Sequence, residues 1–143
     1  MARIGILTCA NATQDLGCSS VVCLADLRKR KGFFAVYPAV EPLDLVGIMS
    51  CPECPTLCGF DKFLQRVRGL TEFKVQAIHL STCMKYMCPF VEKYQALLAD
   101  TFPGISIIRG THEEHVPALN FRVQVQGLFS QPRRTMIDLI TGA

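Results

Sequence analysis

Apolar residues in this chain come as short continuous runs that alternate with stretches of helical spacing. Ile4–Thr8 is the first run and predicts a strand. Val21, Val22, Leu24, Ala25 and Leu27 follow helical spacing up to Lys31, with Ser19 or Ser20 placed as N-cap and Gly32 as the stop. Phe33–Val40 is aromatic and β-branched, and Pro38 and Pro42 close it, so it reads as an edge strand or an extended connector. Leu43–Ser50 predicts the second strand, and Phe60–Leu70 a helix with Phe60, Phe63, Leu64 and Val67 inward. Val75–Thr82 predicts the third strand. Pro89 opens a helix carrying Val91, Tyr94, Leu97 and Leu98, and Ile105–Ile108 is the fourth strand. Beyond Pro117, Phe121, Val123 and Val125 alternate with Arg122, Gln124 and Gln126, which predicts a half-buried strand; Met136–Ile140 suits a short terminal helix.

Strand, helix, strand, helix, strand, helix, strand is the order of a doubly wound sheet. The expected fold is α/β, a three-layer sandwich with a mainly parallel sheet of four or five strands, flavodoxin- or Rossmann-like, with right-handed crossovers. A chain of 143 residues suits one domain, here spanning residues 1–143. Half the residues are apolar and 19% are charged, which argues against disorder.

Charge narrows the function classes. A net charge of +3 is too small to argue for nucleic acid, and the basic run Arg28-Lys29-Arg30-Lys31 sits where a helix dipole favours cations. The apolar part of Met1–Thr8 is too short for a signal peptide, and no run approaches a membrane span, so neither nucleic acid nor membrane is an expected partner. Without an export signal, eight cysteines point to a reducing cytosol, where they serve as metal ligands or redox groups rather than a disulfide framework. No G-x-G-x-x-G follows the first strand and no G-x-x-x-x-G-K-[ST] occurs, so nucleotide fingerprints are missing. Neither Cys9 nor Cys51 is followed by the glycines and arginine of a phosphate loop, and the acidic residues form no convincing pair for carboxylate catalysis.

The positions of the donors carry the functional reading. Each of the four main strands ends in a soft or borderline donor: Cys9, Cys51, Cys83 and His112. Parallel strands bring those ends to one edge, with Cys18, Cys54, Cys58 and Cys88 close behind, and that edge is where open α/β sheets bind ligands. The stretch Ser50-Cys51-Pro52-Glu53-Cys54-Pro55-Thr56-Leu57-Cys58-Gly59 is the densest part. Cys51-x-x-Cys54 serves zinc, iron–sulfur and thiol redox sites alike, and no second Cys-x-x-Cys makes a zinc ribbon. Cys-Pro pairs at Cys51, Cys54 and Cys88 lean towards iron–sulfur, although the full ferredoxin spacing is absent. His112 and His115 share a face if helical, with His112 the better ligand candidate and His115 solvated. His79, inside a strand, reads as a hydrogen-bonded core histidine. Cys23, mid-helix, and Cys18 fit the role of a small buried thiol equally well.

These residues resemble the CGGC-domain family over about residues 1–115. The likeness rests on Ile4–Cys9 followed by Asn11 and Cys18, on Val46–Cys54 with Pro55, on Ser81–Cys83, on Cys88-Pro89 and on Thr111-His112. It implies metal binding, with zinc the usual assignment. Two central glycines of the family are replaced by Pro52 and Glu53; Cys58 and the C-terminal segment 117–143 are additions. The expected function is a cytoplasmic metal-binding protein. Cys9, Cys51, Cys54, Cys83, Cys88 and His112 are its ligand candidates for zinc or an iron–sulfur cluster, and Cys18, Cys58 and His115 stand in reserve. The alternatives are a thiol–disulfide protein using Cys51 and Cys54, and a subunit that delivers or receives a cluster, although no motif marks a protein partner.

Overall fold

The computed structural model describes residues 1–52, 59–115, 117–130 and 140–142. Strands β1 (Ala2–Thr8), β2 (Leu43–Ser50), β3 (Ala77–Leu80) and β4 (Ser106–Arg109) pair in parallel in the order β2-β1-β3-β4. This is the flavodoxin-like order, and its connections reverse direction between β1 and β3. The two central strands are the most apolar because both their faces are covered: Ile4, Ile6, Leu7, Ile78 and Leu80 are fully buried.

Helices cover both faces. On one, α2 (Gly59–Thr71) and α4 (Val91–Thr101) pack Phe63, Val67, Leu70, Tyr94 and Leu98 against Leu7, Ile78 and Leu80. Gly5 permits this approach, since a Cβ there would stand 2.7 Å from Leu70 Cδ1. On the other, α1 (Val21–Lys29) and a short 3-10 helix (Gly32–Val36) set Leu27 and Phe34 on Ile4, Ile6 and Ala77. The α/β three-layer expectation therefore holds, with four strands.

Local readings differ in five places. Phe33–Val40 is neither strand nor extended connector at its start: burial of Phe34 and the bond from Phe33 N–H to Thr111 O (3.0 Å) wind it into the 3-10 turn. Ser20 sits at the N-cap of α1 with φ 62° and no side-chain cap bond, and the helix stops at Lys29, where Arg30 turns left-handed with φ 54°. β3 is shorter than Val75–Thr82, because the Ser81 hydroxyl caps a new helix, α3 (Thr82–Met87), by accepting from Met84 N–H. A π-helix, Asn11–Asp15, follows β1, where the small and polar residues of Ala10–Gly17 read as a loop in the sequence. The segment expected as a strand around Phe121–Gln126 lies in helix α5 (Ala118–Ser130). Of the terminal helix expected at Met136–Ile140, positions 136–139 lie outside the described residues, and Ile140 is helical.

His79 is fully buried, as a core histidine should be. Its Nδ1 donates to Gly110 O (2.9 Å), which leaves Nε2 to accept from Tyr37 Oη–H (2.8 Å). Burial lowers its pKa below the ordinary 6.5, against the pull of the Gly110 carbonyl. The unfolded chain therefore takes up a proton near pH 6.5 and the folded protein only at lower pH. Stability is fully present above about pH 6.5 and falls as the pH drops towards the folded pKa, by up to about 1.4 kcal/mol per pH unit. We expect urea midpoints measured from pH 7.5 to pH 5 to show this fall in the wild type and to show it flattened in His79→Gln. Equal slopes would mean that His79 is not held neutral.

Candidate functional site

All four strands point the same way, so their carboxyl ends share one edge. Cys9 and Cys51 follow β1 and β2 directly. Cys51 N–H donates to Thr8 O (2.9 Å), which extends the sheet by one bond beyond the Thr8–Ser50 pair. The Cys9 carbonyl then accepts from Ala12 N–H (3.1 Å), Thr13 N–H (3.0 Å) and the Thr13 hydroxyl (3.2 Å). The π-helix is thereby anchored on the strand end, a position where such turns recur at functional sites. Cys88 ends α3, its N–H bonded to Met84 O (3.0 Å), and Pro89 prevents the helix from continuing.

Cys9, Cys51 and Cys88 line one cavity of about 270 Å³ at this edge. Its walls are mostly apolar: Ala10, Met84, Met87, Pro89, Tyr94 and Val125 contribute, with Asn11, Arg122 and Gln126 as the polar members. Tyr94 is held flat against Phe63, with ring centroids 4.2 Å apart and planes at 13°. Arg122, Val125 and Gln126 reach the cavity from α5, which rests on α3 through a Tyr86–Phe121 ring contact at 5.9 Å.

Cys83 stands three residues beyond β3, in the first turn of α3, next to Cys9. Its sulfur is 2.9 Å from Ser81 Oγ. Burial pushes the Cys83 thiol up to about 11; the Ser81 hydroxyl and the Cys9 backbone pull the other way, and the thiols of Cys9 and Cys23 add to the rise. Cys23 is buried with its sulfur 3.1 Å from Thr111 Oγ1, and burial raises its pKa as well. Thr111 and Thr82 are cross-linked, Thr82 N–H to Thr111 Oγ1 (3.1 Å) and Thr111 N–H to Thr82 Oγ1 (3.0 Å), so the ends of β3 and β4 are fixed to each other. Cys18 is exposed. Since the thiolate is the reactive form, alkylation with iodoacetamide at pH 8 will modify exposed Cys18 faster than Cys83, as read by peptide mass spectrometry. Equal rates at the two would contradict the burial of Cys83.

His112 lies elsewhere on the edge. Its Nδ1 donates to Glu113 O (2.7 Å), its ring stacks on His115 at 5.4 Å, and both line a cleft of about 40 Å³ with Thr82, Tyr86, Glu114 and Phe121. That cleft and the thiol cavity have no lining residue in common. Cys54 and Cys58 lie outside the described residues. Among the described residues, no three His, Cys, Asp or Glu side chains stand close enough together to hold a metal ion. A four-coordinate centre is thus not complete within the described donors.

The sequence reading missed the cavity's other walls. Met84 and Met87 belong to α3, whose signal was the capping Ser81 followed by a Pro89 stop. Arg122, Val125 and Gln126 were hidden because their segment was expected to be a strand.

Compared with known proteins, the chain matches the sequence model of one family, the CGGC domain, over residues 3–112. No curated protein and no solved structure matches. No helix among the described residues is long and apolar enough to cross a membrane.

Proposed function

The chain belongs to the CGGC-domain family, and from that premise we propose that it holds a metal centre at the carboxyl edge of its sheet, with cysteine thiolates as ligands. The observation that carries this reading is the convergence of Cys9, Cys51 and Cys88, from three separate parts of the chain, on one cavity, with Cys83 beside Cys9. Cys54 and Cys58, which follow Cys51 in sequence, are the candidates for the further donors that the described residues lack. Zinc or an iron–sulfur cluster suits such a sulfur-rich set. The histidines stay outside it, since His112 and His115 face the other cleft. The centre would tie together strand ends that only folding brings near one another. Thiolates stay available for this in a reducing compartment, which fits a cytoplasmic protein.

Anaerobic purification followed by metal analysis and a visible spectrum tests the reading. A colourless protein with stoichiometric zinc, or a brown one with iron and sulfide, supports it. A metal-free protein that takes up neither under reducing conditions, and instead cycles a Cys51–Cys54 disulfide, overturns it in favour of thiol redox chemistry.

A further inference from the structure

Arg122, exposed on α5, adds a positive charge to the thiol cavity. Arg122 is the one charged side chain among its described lining residues. Its Nε–H donates to Tyr86 O, and among the described residues no carboxylate pairs with it. Among the described residues this is the one bond the Arg122 side chain makes; it orients the guanidinium and leaves the terminal nitrogens as donors. The amide side chains of Asn11 and Gln126 line the same cavity. The remaining walls away from the cysteines are apolar, and the volume of about 270 Å³ is just below the range of drug-sized pockets. A guanidinium fork with no acidic partner beside an apolar hollow matches a carboxylate head on a short hydrocarbon body.

We propose that this cavity binds a small organic monoanion, with Arg122 holding the carboxylate and Met84, Met87, Tyr94 and Val125 enclosing the body. The division of labour follows the chain. Residues 3–112 match the family and supply the thiols, whereas Arg122, Val125 and Gln126 come from α5, beyond that match. The anion site therefore draws on residues beyond the matched region, and it goes beyond the metal reading.

The test uses the 143-residue chain kept reduced, both as purified and after metal removal, so its outcome does not depend on whether a metal centre exists. Straight-chain carboxylates from acetate to octanoate are each compared with their primary amides by thermal shift and calorimetry. We expect at least one carboxylate of intermediate length to raise the melting temperature and bind, and its amide to bind about tenfold or more weakly, the loss of a charge-assisted bond. Arg122→Gln will lose the carboxylate's advantage. Val125→Phe, which fills the hollow but keeps the guanidinium, will lose binding of both members of the pair. If no carboxylate in the series outperforms its amide, or if Arg122→Gln keeps the preference, the proposal is wrong.

Discussion

Gly110→Ala will cost roughly 3–5 kcal/mol of folding stability, from a left-handed backbone forced on a side chain and from overpacking. Gly110 follows β4 directly and has φ +136°, and a Cβ built there would stand 2.3 Å from Phe33 Cδ2. Relief is not cheap, because Phe33 is fastened by its N–H to Thr111 O (3.0 Å) and lies under the Lys85 ammonium at 4.4 Å. The same glycine carbonyl accepts from buried His79, so a shift of the backbone also strands an imidazole N–H. For a chain of this length the loss corresponds to a fall on the order of 10 °C in melting temperature. Gly104→Ala is the control, since a Cβ there meets nothing within 4 Å. Similar melting of the two variants would show that Phe33 is not seated on Gly110.

Removal of metal is expected to have an effect of the same order. A ligand present at a thousand times its dissociation constant stabilises by about 4 kcal/mol when only the folded state binds it. The proposed donors are scattered from Cys9 to Cys88, so the unfolded chain does not present them together. A chelator under reducing, anaerobic conditions will therefore lower the melting temperature by on the order of 10 °C. The chain will not unfold outright, because buried Phe63, Ile78, Leu80 and Leu98 hold the sheet and helices together without the centre. Mild acid acts in the same direction, since protons compete with the metal for the thiolates. If metal is fully removed and the melting curve does not move, the ligands do not bridge the strand ends.

The strands were legible because a parallel sheet covered on both faces demands continuous apolar runs, and Ile4–Thr8 and Leu43–Ser50 are such runs. The short elements were harder. Phe33–Val36 has the residues of a strand, yet tertiary burial of Phe34 decides its shape. In Phe121–Gln126 the alternating valines fit both periods. The helix prevails with Phe121 and Val125 four apart and half-buried, while Val123 remains exposed. For the site, the rule that strand ends gather donors located Cys9 and Cys51 correctly in space and set Cys83 close to them. It placed His112 on the right edge but could not reveal that the histidine faces a different cleft, because edge position says nothing of side-chain direction. The cavity itself was not legible at all, since its volume depends on how α3, α4 and α5 pack rather than on any local pattern.

The central claim is that cysteines from separate strand ends make one centre. Metal content per chain, measured after identical anaerobic purification of Cys9→Ser, Cys51→Ser, Cys54→Ser and Cys23→Ser, tests it most directly. Cys9→Ser, Cys51→Ser and Cys54→Ser will lose most of the metal found in the wild type. Cys23→Ser should retain it, because Cys23 lies on α1 against Thr111 and does not line the cavity. Metal retained in both Cys9→Ser and Cys51→Ser, or lost as fully with Cys23→Ser, would contradict the account.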